Sequence, residues 1–257
     1  MENFDQIALA LVIFVPLVGA ILAMFMPADR QKDVWYFAIV VAGLSLILSV
    51  YIFVRYDYGA GGFQFHDNYP WLPAPVDINL SLAVDGISAL LILLNGIILF
   101  GGVLISQTIV YRPRDFFVLL LALGAGVFGT FAVRDLFFLF FFYELAVLPM
   151  YLLIGVWGSS TDFRTFFRTK DYAAMKLFIF LVAGSVLVWI GILAMYMGAS
   201  DAGFSTFSLE TLGGLAEAGR FSESFQTWVF PLFMVGFGVL AGRSEERRVG
   251  KGCRSRW

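Results

Sequence analysis

Apolar residues dominate this chain in long, nearly uninterrupted runs. A bilayer core of about 30 Å needs roughly 20 apolar residues per helical span, so runs of this length predict transmembrane helices. Four runs contain no charged residue, a fifth contains one acid and a sixth contains one base. The predicted spans are residues 7–26, 34–54, 86–111, 116–133, 136–157 and 172–198, with a shorter seventh at 226–242. The predicted fold is all-α, a polytopic membrane bundle of six to seven helices.

Composition supports the membrane assignment. Hydrophobic residues make up 60% of the 257 residues and charged residues only 14%, whereas a soluble domain usually carries about 25% charge. The mean hydropathy is +0.85. Cys253 is the only cysteine, so the sequence offers no disulfide framework.

The last fifteen residues, 243–257, depart from this composition abruptly. They hold six of the 17 basic residues and the only cysteine. One interpretation is a native basic segment beside the membrane. The string also resembles the translation of a common sequencing-adapter oligonucleotide, which favours a non-native tail. We therefore expect residues 1–242 to be the genuine membrane domain and residues 243–257 to have no function.

Basic residues are unevenly shared between the two alternating sets of loops. Such an excess of Lys and Arg marks cytoplasmic loops, which predicts a multi-pass membrane protein with its N-terminus outside. The richer set holds Arg30, Lys32, Arg112, Arg114, Arg164, Arg168 and Lys170, and the poorer set holds Arg55, Arg134 and Arg220.

Glu144 is the first candidate for function, because ionisable residues inside a membrane are costly, at about 2.5 to 3.5 kcal/mol on insertion scales. It is the ninth residue of its span, about 13 Å along the helix and near the bilayer centre. A carboxyl group in a low-dielectric medium disfavours its ionised form, which suits a group that holds and releases a proton. Pro149 also leaves the carbonyl of Leu145 without an amide donor. The alternative is a structural acid paired permanently with a neighbouring helix.

Lys176 is the second candidate. It is the only base within a predicted span and lies about one turn inside the cytoplasmic end of that span. Its long side chain can reach the interface by snorkelling. The competing interpretation is that Lys176 communicates with Glu144 through water.

Other polar residues have simpler interpretations. Asp85 precedes an apolar run and is predicted to cap the helix that follows. The segment Tyr69–Pro75 contains three prolines and cannot run as a helix, so it is expected at the surface or the membrane interface. His66 is interpreted as an exposed loop residue. The sequence contains no metal-ligand cluster, phosphate-binding loop, catalytic triad or basic nucleic-acid patch.

Three motifs resemble the subunit M (chain 4) family of respiratory complex I, NADH-quinone oxidoreductase. The most specific is FYELAVLPMYLLIGVWG at 142–158 in the fifth span, and it is supported by LAVDGIS at 82–88 and YAAMKLFI at 172–179. The resemblance covers the chain up to residue 242 in family order. It implies an antiporter-like, proton-translocating subunit built of fourteen helices with inverted repeats, of which this chain would be the first half.

The resemblance also implies a location, partners and roles. The location would be the bacterial inner membrane. Partners would be the other membrane-arm subunits, the lipid bilayer and protons, with no nucleic acid. NADH, FMN, iron-sulfur clusters and quinone would belong to the assembled complex, with no cofactor or metal bound by this chain. In that family an acid on the fifth helix faces a lysine on the seventh, and the pair is thought to gate proton movement. Glu144 matches the acid, whereas Leu240 stands where the lysine commonly occurs.

Two rival functions remain open from the sequence. A related subunit of a multisubunit cation/proton antiporter would share the charged fifth helix without being driven by electron transfer. A membrane scaffold would use Glu144 only to hold helices together. The Pro-Met-Tyr-Leu-Leu run favours the complex I subunit over the antiporter, and the buried acid disfavours the scaffold.

The topology makes a direct prediction. The loops Asp29–Asp33, Arg112–Asp115 and Gly158–Asp171 should face the cytoplasm, since they hold the basic excess. A cysteine introduced by Arg164→Cys should therefore resist a membrane-impermeant thiol reagent in sealed cells and react after the cells are opened. Labelling in sealed cells would reverse the predicted orientation.

Overall fold

The structure is a computed structural model of the 257-residue chain. It describes residues 2–27, 30–72, 77–158, 161–163, 166–168, 170–201 and 203–240. The tail predicted to be non-native, residues 243–257, lies outside the described residues, as do Pro73–Pro75, Arg164 and parts of two other loops.

Long apolar helices form the body of the molecule, as the hydrophobic runs predict. Six helices in the described part of the chain are long and apolar enough to cross a membrane. They are α1 (Glu2–Met24), α2 (Gln31–Arg55), α3 (Gly86–Ile105, extended by a 3-10 turn at Ser106–Thr108), α4 (Pro113–Ala132), α5 (Leu136–Trp157) and α6 (Lys170–Asp201). A short helix α7 (Leu209–Glu217) and the helix α8 (Glu223–Leu240) follow. The predicted membrane bundle is confirmed.

The bounds of α5 agree with the predicted span, whereas those of α4 differ at its start. The fifth span begins at Leu136 and ends at Trp157, as predicted. Helix α4 begins at Pro113, three residues before the predicted start, because proline is well suited to the first helical position. Arg114 and Asp115 therefore lie in the first turn of α4 and not in a loop.

A β-hairpin is the feature that the all-α prediction did not include. Strands β1 (Gln64–Leu72) and β2 (Ile78–Val84) pair antiparallel between α2 and α3. In β2 the apolar residues at alternate positions are buried, the pattern of a strand with one face against a core. Pro70 lies in β1, whose only partner strand among the described residues is β2, and a missing amide donor is tolerated in such an edge strand. The non-helical prediction for Tyr69–Leu72 is consistent with this strand. A second short hairpin, β3 (Thr161–Phe163) and β4 (Phe166–Arg168), precedes α6.

Hydrogen bonds gather the loops into two opposite ends of the bundle. At one end, where α1 and α5 finish and α4 begins, the indole Nε1 of Trp157 donates to the carbonyl of Tyr111 at 2.8 Å. Arg114 donates to the carbonyl of Met26 at 3.5 Å. We call this the basic end, because Arg30, Lys32, Arg112, Arg114 and Lys170 lie there.

The other end carries the β1–β2 hairpin, α7 and most acids, and we call it the acidic end. The amide of Arg134 donates to the carbonyl of Ser81 at 2.8 Å, which ties the end of α4 to β2. The amide of Leu136 donates to the carbonyl of Phe207 at 3.0 Å, which ties the start of α5 to the segment before α7. Successive described loops thus lie at alternate ends of the bundle, as the predicted spans require.

Asp135 fixes the start of α5 at the acidic end. Its Oδ1 accepts hydrogen bonds from the amides of Phe137 at 2.9 Å and Phe138 at 3.2 Å, the geometry of an N-cap. The side chain is only 2% exposed. Burial raises the pKa of the Asp135 carboxyl to about 6, although the two backbone hydrogen bonds oppose the shift. Asp85 caps α3 as predicted, accepting from the amide of Ser88 at 2.7 Å.

The raised pKa of Asp135 predicts a pH-dependent stability. The folded state keeps the proton up to about pH 6, whereas the unfolded chain releases it near pH 4. The stabilising contribution is therefore complete below about pH 4 and is lost as the pH rises through 6. Asp135→Asn keeps a capping oxygen without the charge, so it should be more stable than the parent at pH 7.5, by up to roughly 3 kcal/mol, and this difference should shrink at pH 4.5.

Thermal denaturation of the detergent-solubilised chain at the two pH values measures this. Asp85→Asn is the matched control. Burial opposes the shift, but hydrogen bonds from Ser88 outweigh it and lower the pKa of Asp85, so that carboxyl is ionised at both pH values. The effect of Asp85→Asn should not change between pH 4.5 and 7.5. An Asp135→Asn effect that is equally independent of pH would contradict the prediction.

Candidate functional site

Glu144 lies near the middle of α5, and the contacts of neighbouring residues show which way it faces. Four residues earlier, Phe140 stacks on Trp189 of α6 with ring centroids 4.8 Å apart. Seven residues later, Tyr151 contacts Phe178 of α6, also at 4.8 Å. Positions four and seven apart share a helix face. Glu144 therefore lies on the face of α5 that packs against α6.

Helix α4 covers the opposite face of α5 at the same height. A Cβ placed on Gly126 of α4 would lie 2.8 Å from the backbone nitrogen of Ala146 and 2.9 Å from the carbonyl oxygen of Phe142. Only glycine permits this approach of the two helix backbones. Phe142 and Ala146 are each two positions from Glu144, which corresponds to about 200° around a helix. The α4 contact thus holds Glu144 towards α6.

Ser185 is the polar residue of α6 at the height of Glu144. The two helices are antiparallel, and Ser185 precedes Trp189 by four residues, just as Glu144 follows Phe140 by four. Ser185 is 4% exposed, and its hydroxyl donates to the carbonyl of Val182 at 3.1 Å. This residue was not identified from the sequence. A serine in an apolar helix is a weak signal until the neighbouring helix and its register are known.

The carboxyl of Glu144 is incompletely paired. Its Oε1 is buried and has no hydrogen-bond partner among the described residues. A buried carboxyl oxygen without a partner is unfavourable, and such an atom in a native protein generally marks a water, an ion or a functional role. One turn further along α5, Pro149 is buried within the helix and supplies no amide donor to Leu145. The middle of α5 therefore combines one unpaired carboxyl oxygen with a backbone carbonyl that lacks its helical amide donor.

Lys176 is not brought to this site. It lies in the second turn of α6, nine residues before Ser185 and so about 13 Å away along the helix. It follows Ala174, which faces Gly155 of α5, by two positions, so it points to the opposite side of α6. There its ammonium group lies 6.0 Å from the ring centroid of Tyr172. A direct ion pair between Lys176 and Glu144 is excluded by this arrangement.

Helix α8 packs on a third side of α6. A Cβ placed on Gly184 would lie 3.0 Å from Cδ2 of Leu240, so Leu240 lies beside the residue that precedes Ser185. The position that the family resemblance assigns to a lysine is thus level with Glu144, on another side of α6. In this chain an apolar side chain stands there. Among the described residues, no group of three or more His, Cys, Asp or Glu residues is placed to hold a metal.

Comparison with known proteins agrees with the fold and with the motifs. Residues 133–243 match the family model described as NADH:quinone oxidoreductase/Mrp antiporter, transmembrane. NAD(P)H-quinone oxidoreductase chain 4 of Acaryochloris marina (strain MBIC 11017) is 32% identical over 90% of this chain and 41% of the relative. A chain 4 protein of Synechococcus sp. (strain JA-3-3Ab) is 33% identical with the same coverage of both chains. The chain spans about two fifths of the length of the curated relatives it matches.

Solved structures show the same helical arrangement. A chain of respiratory complex I from Thermus thermophilus with bound NADH superposes with a TM-score of 0.70 and 27% identity, over 90% of this chain and 43% of that one. A chain of the Mrp complex from Dietzia sp. DQ12-45-1b gives a TM-score of 0.69 at 17% identity, over 90% and 23%. The second likeness shows the fold alone.

These matches confirm the resemblance predicted from the three motifs. The part of the chain that contains Glu144, Ser185 and Lys176 falls within the matched residues 133–243. This multi-pass membrane protein is thus similar, over residues 133–243, to the transmembrane domain described as NADH:quinone oxidoreductase/Mrp antiporter and, over 90% of its length, to chain 4 of NAD(P)H-quinone oxidoreductase.

Proposed function

We propose that this protein is a proton-translocating membrane subunit of an NADH-quinone oxidoreductase and that Glu144 is its intramembrane proton-handling carboxyl. The observation that carries the proposal is the buried Oε1 of Glu144, which has no partner among the described residues and lies at mid-membrane height. A scaffold acid would be expected to have its hydrogen bonds satisfied. An acid that exchanges protons needs a free position for water or a transient partner.

The surroundings of Glu144 suit such an exchange. The hydroxyl of Ser185, at the same height on the facing helix, can accept a hydrogen bond while it donates to Val182. Pro149 leaves a second acceptor free one turn away. A water bound between these groups would have two or more polar partners, which a buried water requires. The free carboxyl oxygen then becomes one end of a short proton path.

The protein's partners and orientation belong to the same proposal. NADH, FMN, iron-sulfur clusters and quinone would be bound by other subunits, and electron transfer there would drive proton movement here. The basic end would face the cytoplasm, because Lys and Arg gather there. Lys176, which faces away from α5, would communicate with Glu144 only through water or a neighbouring subunit.

A cation/proton antiporter subunit is the second candidate. The likeness to the Mrp complex, at a TM-score of 0.69, supports the shared fold. The higher identity to chain 4 relatives, at 32%, favours the complex I subunit. Proton movement that depends on NADH oxidation would distinguish the two candidates. An antiporter would instead exchange protons for a cation without electron transfer.

Removing the charge of Glu144 should impair proton pumping by the proposed complex. Glu144→Gln preserves size and much of the hydrogen bonding, so the native complex containing the full-length protein should assemble. The rate of proton pumping during NADH oxidation should fall by at least about ten-fold, which corresponds to a rise of about 1.4 kcal/mol in the barrier of the limiting step. Pumping is measured in membrane vesicles with a pH-sensitive dye, and assembly on native gels.

Glu223→Gln is the matched control, because Glu223 is an exposed acid in the first turn of α8 at the acidic end. It should leave pumping unchanged. An assembled Glu144→Gln complex that pumps at the parental rate would reduce Glu144 to a structural residue. A complex that fails to assemble would favour the scaffold.

Moving the acid along α5 should be milder than deleting it. Leu148 lies one turn after Glu144 on nearly the same face, whereas Leu145 lies about 100° away. The double variant Glu144→Gln/Leu148→Glu should therefore recover part of the pumping, and Glu144→Gln/Leu145→Glu should recover none. Equal recovery by both would mean that the acid acts without a preferred direction.

A further inference from the structure

A groove opens at the basic end of the bundle, where α1 and α5 finish and α4 begins. We call it the arginine groove; its volume is about 310 Å³, and it is lined by Met24, Arg112, Arg114, Asp115, Leu152 and Trp157 together with three further aliphatic residues. It is separate from Glu144, which lies about two turns or more below its nearest lining residue on α5.

Charge is concentrated at the rim of this groove. Asp115 Oδ2 lies 2.6 Å from Arg112 Nη2, and Asp115 Oδ1 lies 3.3 Å from Arg114 Nε. Two guanidinium groups thus share one carboxylate, which leaves one unbalanced positive charge. The N-terminus of the 20-residue helix α4 adds partial positive charge at the same place.

Arg112 is held in an unusual conformation. Its φ is 49° and its ψ is 55°, in the left-handed region, immediately before Pro113. A non-glycine residue in that region is strained, and such strain is tolerated only where the surroundings impose the conformation. The ion pair with Asp115 fixes the guanidinium in that position. A guanidinium group that is held in one position is better placed to bind an anion than a freely moving surface side chain.

The floor of the groove is apolar and runs along the helix axes. Val118 lies one turn after Arg114 on α4, and Leu152 lies one turn before Val156 on α5, so aliphatic side chains continue below the charged rim. Trp157 stands at the boundary, its indole donating to the carbonyl of Tyr111 at 2.8 Å. Indole rings prefer the membrane interface. The rim therefore lies at headgroup height and the floor at acyl-chain height.

We propose that the arginine groove binds an anionic glycerophospholipid, with its phosphate at Arg112 and Arg114 and an acyl chain on the floor. Charge and polarity both match, since the groove has a net positive rim and an aliphatic interior. Basic pockets between helices at the cytoplasmic side of a membrane are suited to anionic headgroups. A zwitterionic lipid would gain the same apolar contacts without the net charge.

Lipid competition on the intact chain tests the proposal. The chain in detergent micelles is titrated with phosphatidylglycerol or with phosphatidylcholine of the same acyl chains, and bound lipid is counted by native mass spectrometry. Phosphatidylglycerol should bind more tightly, and Arg114→Gln should weaken it by roughly five-fold, the contribution of one basic residue near a charged surface. Arg220→Gln, an exposed arginine at the acidic end, is the control and should have no effect. High salt should reduce the preference.

A second variant tests the groove without disturbing the ion pair, in case Arg114→Gln affects folding. Leu152→Trp leaves the arginines in place and fills the floor, so it should reduce the binding of both lipids. Equal binding of the two lipids by the parent, an equal loss in Arg220→Gln, or undiminished binding in Leu152→Trp would each overturn the proposal.

The occupant in the native membrane is identified by photochemistry. A benzophenone side chain introduced at position 152 in the full-length protein should yield an adduct with the mass of a phospholipid. An adduct with a neighbouring protein subunit would show that the groove is a protein interface and would overturn the proposal.

Discussion

Lipid cannot solvate a carboxyl group, and this constraint governs the arrangement around the fifth helix. An ionised acid at the centre of an apolar span is stable only if protein or trapped water supplies hydrogen bonds. The bundle meets this need in part. Glu144 faces α6, where Ser185 lies at the same height, and α4 closes the other side through the contact at Gly126. One carboxyl oxygen stays without a partner among the described residues.

Rigid packing at other positions of α5 fixes the direction in which the incompletely paired Glu144 points. Asp135 fixes where α5 begins, and the close approach of Gly126 to Ala146 fixes its rotation against α4. If either contact were looser, a small rotation about the helix axis would carry Glu144 away from Ser185. A cap at the acidic end and a glycine at mid-height therefore determine the direction in which Glu144 points.

The sequence predicted what depends on one helix alone. Spans follow from the length of apolar runs, and Glu144 was conspicuous because a charge in such a run is costly whatever surrounds it. Ser185 and the orientation of Lys176 could not be predicted, because both depend on which helices touch and in which register. The β1–β2 hairpin was missed for a different reason. The alternation in β2 covers only seven residues and directly precedes an apolar helix, so its period of two is hard to separate from the hydrophobic run that follows.

The two charged residues inside the predicted spans point in different directions, which constrains the proposed transfer of protons between them. Glu144 faces the interior between α5 and α6, whereas Lys176 lies on the far side of α6 beside Tyr172. The residue level with Glu144 on α8 is Leu240, which can neither accept nor donate a proton. In the proposed relay, a lateral path from Glu144 would lead to the hydroxyl of Ser185 and would need water to continue. Such water would lie between α5 and α6, where the backbone acceptor freed by Pro149, one turn from Glu144, is a polar group that could bind it.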